Sequence, residues 1–87
     1  MSNSVRPLGL DPDLLRTFLL IVEEGSFTRA AARVGRTQSA VSMQIQRLEA
    51  ALGQPVLLRG RGGAVALTPH GRYLRERGRD LLSLNDE

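Results

Sequence analysis

The sequence predicts a mainly α-helical domain that carries one short β-hairpin. Apolar residues recur at helical spacing in four segments, and a side chain able to cap a helix precedes each segment. Between the third and fourth segments, the stretch VLLRGRGGAVAL has two β-prone pieces around a glycine-rich turn, which is typical of a hairpin. A chain of 87 residues is long enough for one small domain with a modest core.

The first helix is predicted over residues 12–24, after a leader of residues 1–10 that we expect to be disordered. The leader is rich in Ser, Asn, Pro and Gly. Asp11 and Pro12 are typical of an N-cap and of the first helical position, and Gly25 is typical of the residue that ends a helix.

A short second helix and a longer third helix follow, with a very short link between them. The second helix extends from Ser26, a candidate N-cap, to Gly35. We expect its apolar residues to face inward: Ala30, Ala31 and Val34. The third helix is predicted over residues 38–52 with Thr37 as its N-cap. Its buried stripe has helical spacing and consists of Val41, Ile45, Leu48 and Leu52.

The fourth helix is predicted to begin at Pro69, with Thr68 as its N-cap. Gly71 and Gly78 lie inside it and weaken a helix by ~1 kcal/mol each relative to alanine, so tertiary packing must support it. The order of helix, short helix, tight turn, helix and hairpin indicates a winged helix-turn-helix, in which the third helix lies in the major groove of DNA.

The exposed face of the third helix has an unusual composition. The segment TQSAVSMQIQ carries no charge, although 24% of the chain is charged. Gln can bond bidentately to adenine, Ser can bond several bases, and an apolar residue can touch the thymine methyl group. We therefore predict that this face, which carries Gln38, Ser39, Ser42, Met43 and Gln46, lies against base edges in DNA. The alternative is an ordinary amphipathic helix whose polar face is rich in amides.

The basic residues are concentrated in the middle of the chain. All twelve are Arg, and residues 29–61 hold six of them against one acid, Glu49. This distribution suggests a polyanion-binding face, and a solvated mixed surface is the alternative. Because alternate strand residues share a face, we expect Arg59 and Arg61 at the hairpin to reach one groove or one row of phosphates. A flexible turn with two solvated arginines is the alternative.

Composition argues against several other functions. Without Cys, and with His70 as the single histidine, we expect no metal site, no cofactor and no catalytic triad. Three aromatic residues are too few for a platform that stacks single-stranded nucleic acid. Because we expect neither a metal site nor a catalytic triad, we also expect that the protein is not an enzyme. No apolar run approaches the ~18 residues of a membrane span, and the N-terminus lacks the apolar stretch of a signal peptide, so we expect a cytoplasmic protein. The rival function is a protein–protein interaction module, which would require an acidic or apolar third-helix face.

The motifs GSFTRAA, TQSAVSMQIQRLE, LGQP and LTPHG, within residues 18–71, resemble those of the LysR-type transcriptional regulators in order and spacing. LDPDLLRTF, RTQSAVS and LND resemble the LrhA-like branch of motility and virulence regulators. The resemblance implies a winged helix-turn-helix over residues 11–68 and the start of a dimerisation linker helix over residues 69–87. It also implies a C-terminal effector-binding domain, absent from this chain, so we expect an isolated DNA-binding domain. A naturally short protein is the alternative.

The resemblance also assigns roles to residues and partners to the chain. It implies base contacts by Gln38, Ser39, Ser42 and Met43. It implies backbone or wing contacts by Ser26, Thr28, Arg29, Thr37, Arg59 and Arg61. We also expect backbone contacts by Arg36, Gln46 and Arg47. It implies that two chains pair through the linker helix, and we expect some of Tyr73, Leu74, Leu81 and Leu82 to form this dimer interface. Packing of these residues on the first helix of their own chain is the alternative. The expected partners are a pseudo-palindromic double-stranded DNA operator and a second copy of the chain, with a tetramer at full length. A small-molecule effector would bind only the absent domain.

Two residues depart from the family pattern. Met43 stands where many members have Arg, so a frequent DNA contact is missing and the sequence preference is expected to shift. Leu57 stands where Phe is usual, which we interpret as a change in the core.

Overall fold

The computed structural model describes residues 10–86, including the side chains of all of these except residues 81 and 83–86. Its helices are α1 (Pro12–Glu24), α2 (Phe27–Val34), α3 (Gln38–Leu52) and α4 (Pro69–Asp86). Two strands, β1 (Leu57–Arg59) and β2 (Val65–Leu67), lie between α3 and α4, with a 3₁₀ turn at Arg61–Gly63. The predicted mainly α winged helix-turn-helix is therefore confirmed.

Local signals set the bounds of the helices. The predicted N-cap side chains all accept a hydrogen bond from a backbone N–H two or three residues later: Asp11, Ser26, Thr37 and Thr68. Helices α1, α2 and α3 each end at a glycine in the left-handed region, with φ of 72°, 70° and 72° at Gly25, Gly35 and Gly53. Glycine has no Cβ that would clash in this conformation.

The core lies where α1, α2 and α3 cross, and α4 and the hairpin close it. Its largest fully buried side chains are Phe18, Phe27, Ile21, Leu48, Val41 and Val56. Ala30, Ala31 and the α3 stripe face inward as predicted, although Leu52 is only half-buried.

Two expectations about burial were wrong. Val34 is 48% exposed, because it is the last residue of α2 and borders a surface groove between the helices. Leu10, which the prediction placed in the disordered leader, is 4% exposed and belongs to the core cluster. Apolar burial thus includes the residue before the N-cap of α1. Residues 1–9 lie outside the described part of the chain.

The hairpin is the predicted wing, and it contacts the start of α2. β1 and β2 pair antiparallel, with Leu57 opposite Leu67 and Arg59 opposite Val65. An isolated bridge joins Ala64, at the return of the hairpin, to Ser26 at the start of α2. The wing therefore has a defined position beside the N-terminus of α2.

Glu49 on α3 holds the base of the wing. Its Oε2 atom accepts hydrogen bonds from the backbone N–H groups of Val56 at 2.9 Å and of Leu57 at 3.3 Å. Both of these residues are buried, so their N–H groups need an acceptor inside the protein. The single acid of the basic middle is therefore structural.

We expect Glu49→Ala to lower the free energy of unfolding by about 1–2 kcal/mol, because two buried N–H groups would lose their acceptor. Glu49→Gln keeps an oxygen at this position and should lose less, although a neutral acceptor is weaker than a carboxylate. Urea denaturation followed by circular dichroism measures both variants. Wild-type stability of Glu49→Ala would contradict the role of this carboxylate.

Helix α4 packs closely against its own domain through one face. Gly71, Leu74 and Gly78 follow helical spacing, and all three are buried. A Cβ at Gly78 would lie 2.9 Å from Cδ1 of Leu15, and one at Gly71 would overlap the carbonyl oxygen of Val56. The two glycines let the backbone of α4 approach α1 and the base of the wing closely. This close packing is the tertiary support that we expected for a helix weakened by two glycines.

Candidate nucleic-acid interface

The outward face of α3 lines one open groove on the surface. The groove is lined by Gln38, Ser39, Ser42, Met43, Gln46 and Arg59. Ser42 is half-buried, and the other α3 residues in this set are exposed, with Met43 at 52%. The structure thus brings the predicted base-reading residues together, with uncharged hydrogen-bonding groups, one apolar side chain and one guanidinium.

Three chain segments meet at one end of this face: the starts of α2 and α3, and the turn of the wing. The hydroxyl of Thr28 donates to Oε1 of Gln38 at 3.4 Å. Gly63 in the turn has a φ of 81°, and a Cβ there would lie 3.4 Å from the Thr28 hydroxyl oxygen. The predicted contact residues Ser26, Thr28 and Thr37 therefore lie near the first turn of α3.

Arg59, at the end of β1, contacts both α3 and α2. Its Nη2 atom donates to the hydroxyl oxygen of Ser42 at 2.6 Å, and its guanidinium carbon lies 3.9 Å from the centre of the Phe27 ring. Arg61 lies in the 3₁₀ turn, beyond the end of β1. The expectation that both arginines share a strand face was wrong, because strand alternation stops at Arg59.

Part of the positive charge in the basic middle of the chain is paired with acids of α1. Arg33 forms ion pairs with Glu24 at 2.8 Å and with Glu23 at 3.6 Å, so its charge is largely balanced. The predicted contact arginines are exposed: Arg29 on α2, Arg36 in the link between α2 and α3, and Arg47 on α3. Nη2 of Arg47 also lies 3.8 Å from the sulfur of Met43.

A hydrogen bond that the sequence analysis missed holds α3 against α1. The hydroxyl of Thr17 donates to Oε1 of Gln44 at 2.6 Å, and both side chains are half-buried. Gln44 was counted only as part of the uncharged segment. Its position three residues after the buried Val41 is the signal that could have placed it beside the core.

The residues predicted for dimerisation fall into different environments. Tyr73 is 59% exposed, and the guanidinium of Arg77 lies 5.3 Å from its ring. Leu74 is 3% exposed, so it is a core residue of its own domain and the prediction for it was wrong. Leu82 is half-buried against the core, and the side chain of Leu81 lies outside the described residues.

The described part of the chain has no group of three or more His, Asp or Glu side chains placed to hold a metal ion. Within residues 10–86, no helix combines the length and the apolar character needed to cross a membrane.

Comparison with known proteins gives consistent matches. The family described as bacterial regulatory helix-turn-helix protein, lysR family, matches residues 12–72. The HTH-type transcriptional regulator PecT of Dickeya dadantii (strain 3937) is 47% identical over 88 residues, which cover 100% of this chain and 28% of PecT. The HTH-type transcriptional regulator DgdR of Burkholderia cepacia is 49% identical, over 90% of this chain and 26% of DgdR. The chain thus spans little more than a quarter of these relatives.

Solved structures share the same architecture. The complex of the BenM DNA-binding domain with catB site 1 DNA has a TM-score of 0.81 and 40% identity, over 88% of this chain and 85% of that one. The complex of the CbnR DNA-binding domain with DNA has a TM-score of 0.83 and 31% identity, over 88% and 87% of the two chains.

Proposed function

Because the chain belongs to the LysR family of bacterial regulatory helix-turn-helix proteins, we propose that it is the part of a transcriptional regulator that binds double-stranded DNA in a sequence-specific manner. The observation that carries this proposal is the groove along α3, where Gln38, Ser39, Ser42, Met43 and Gln46 lie side by side opposite the buried stripe. A helix of this kind fits the major groove, where Gln38, Ser39, Ser42 and Met43 can distinguish base pairs.

Contacts with the DNA backbone would orient the reading helix. The starts of α2 and α3 lie beside the groove, and helix N-termini with hydroxyl side chains suit phosphate oxygens. We assign this role to Ser26, Thr28, Arg29 and Thr37, with Arg36 in the link between α2 and α3, Gln46 and Arg47 on α3, and Arg61 in the wing.

A rival role as a protein–protein module is not favoured. It would require an acidic or broadly apolar face on α3. Among the residues that line the α3 groove, none is acidic, and Met43 is the one large apolar side chain.

Dimerisation would give the complex its symmetry. The exposed side of α4 that carries Tyr73 is our candidate for pairing with a second copy, and Leu81 and Leu82 remain predictions for the same interface. Two reading helices would then lie one DNA turn, ~34 Å, or a multiple of it apart, on a pseudo-palindrome. A tetramer and a small-molecule effector are proposals for the longer protein, and membership of the LrhA-like branch stays a prediction.

Selection from a random duplex pool at a stated salt concentration tests the proposal. We expect the chain to enrich a pseudo-palindrome whose half-sites repeat at one helical turn or a multiple of it. A variant in which Gln38→Ala and Ser42→Ala are combined should lose that enrichment and keep its fold. Failure of the wild-type chain to enrich any duplex would overturn the proposal.

Arg61→Ala should weaken binding about equally on selected and on random DNA, because a phosphate contact carries no sequence information. The slope of log K against log salt should flatten by about one. Arg33→Ala is the matched control, since it changes the net charge equally but removes an arginine that is paired with Glu24. If both variants had the same slope, Arg61 would not be a phosphate contact.

A further inference from the structure

Arg59 is held in place by two contacts of different kinds. The guanidinium lies over the ring of Phe27, a side chain that is 1% exposed, at 3.9 Å from the ring centre. One of its terminal nitrogens donates to Ser42 at 2.6 Å. Stacking restrains the plane of the guanidinium, and the hydrogen bond restrains its rotation within that plane. The cation is therefore positioned before any ligand arrives.

The contact with Arg59 changes what Ser42 can offer to a ligand. A serine hydroxyl has one hydrogen to donate and two lone pairs that accept, whereas a guanidinium only donates. Arg59 therefore occupies a lone pair of Ser42 and leaves the hydroxyl hydrogen available. The adjacent positive charge also disfavours the approach of another donor group. This part of the groove consequently favours hydrogen-bond acceptors.

We propose that Arg59 is a specificity-determining residue that makes Ser42 a hydrogen-bond donor, so that the pair selects an acceptor-rich base edge, with guanine preferred. This inference rests on the proposed DNA-binding function. In the major groove, guanine presents two acceptors, O6 and N7, whereas adenine adds an amino donor beside its acceptor and cytosine presents an amino donor. Thymine offers one acceptor beside a methyl group.

The position of Arg59 separates it from an ordinary wing arginine. It ends β1, yet its side chain reaches across to α3 and lines the same groove as Gln38 and Gln46. Arg61, in the turn of the wing, makes no such contact with α3 among the described interactions. Within the hairpin, base selection therefore belongs to Arg59 and the backbone contact to Arg61.

Competition binding on duplexes that differ at one base pair tests this assignment. The position read by Ser42 is first located as the one whose base preference Ser42→Ala removes. At that position, wild-type protein should prefer guanine to adenine by about tenfold, which corresponds to ~1.4 kcal/mol. Arg59→Lys keeps the charge but loses the planar stack and the fork of donors, so the preference should fall to about threefold or less. Preferences at other positions should persist.

A double-mutant comparison makes the test independent of a general loss of affinity. In the Ser42→Ala background, Arg59→Lys should cause no further change in base preference at that position, because the two residues act together. The inference fails if Arg59→Lys weakens binding equally on every duplex, or if the wild-type protein prefers adenine or cytosine there. In either of those results the wild-type chain still selects duplex DNA, so the proposed function stands. Absence of any selection by the wild-type chain would instead remove the proposed function.

Discussion

Gly71→Ala lowers the free energy of unfolding by about 2–3 kcal/mol, the largest change in stability that we expect. The new Cβ would overlap the carbonyl oxygen of Val56 and would lie 3.1 Å from Cδ2 of Leu67. Backbone cannot rotate away as a side chain can, so α4 must shift relative to the base of the wing, and the cost lies at or above the upper end of the ~1–3 kcal/mol that is typical of overpacking. The better helix propensity of alanine offsets about 1 kcal/mol of that cost.

Gly78→Ala is the matched control, since it makes the same replacement in the same helix. Its Cβ would meet Cδ1 of Leu15 at 2.9 Å, which is the end of a flexible side chain. The loss should be smaller and close to cancelled by the gain in helix propensity. Urea denaturation of both variants measures the difference. A Gly71→Ala protein as stable as the wild type, or less affected than Gly78→Ala, would contradict the close packing of α4.

Gln38→Ala should cost ~1–3 kcal/mol of base discrimination, or about 5- to 150-fold in relative affinity. Gln38 begins α3, is exposed, and lies in the groove with its amide beside the Thr28 hydroxyl. A bidentate amide contact with adenine would be lost, whereas alanine retains the helix. Competition between the selected duplex and single-base variants of it gives the discrimination directly.

Gln54→Ala controls for the general loss of an exposed amide. Gln54 follows α3 and borders a different surface groove with His70 and Tyr73. Its removal should leave both affinity and base preference unchanged. If Gln38→Ala weakened binding equally on selected and random DNA, Gln38 would be a backbone contact and its assignment to bases would be wrong.

The bounds of the helices were predictable because they depend on residues that are adjacent in the sequence. A side chain such as Thr37 caps the helix that follows it, and a glycine such as Gly53 ends the helix before it. The inward stripe of α3 was likewise predictable, because helical spacing alone decides which side chains share a face.

What the sequence did not reveal depends on how the elements pack. Leu74 has the spacing of either a core or an interface residue, and only the approach of α4 to α1 places it inside. Val34 shares the face of Ala30, but α2 ends before neighbours cover it. The contact of Arg59 with Ser42 spans 17 positions, which no local pattern encodes.

Tertiary contacts also decide how much of the charge counted in the sequence is free to act on a ligand. Composition counted Arg33 in the basic middle, although it pairs with acids from α1. Glu49 counted against that basic character, although its carboxylate binds the backbone of the wing. The predicted reading face therefore depends less on net charge than on the uncharged groups of α3.

The most direct test of the account is a titration of the isotopically labelled chain with the selected duplex, followed by the amide resonances of residues 37–46. We predict that these resonances and those of the wing turn shift together, while that of Gln54 stays in place. Resonances of residues 37–46 that remained unmoved by duplex DNA at low salt, yet shifted on addition of a protein partner, would contradict the claim that this helix face reads DNA.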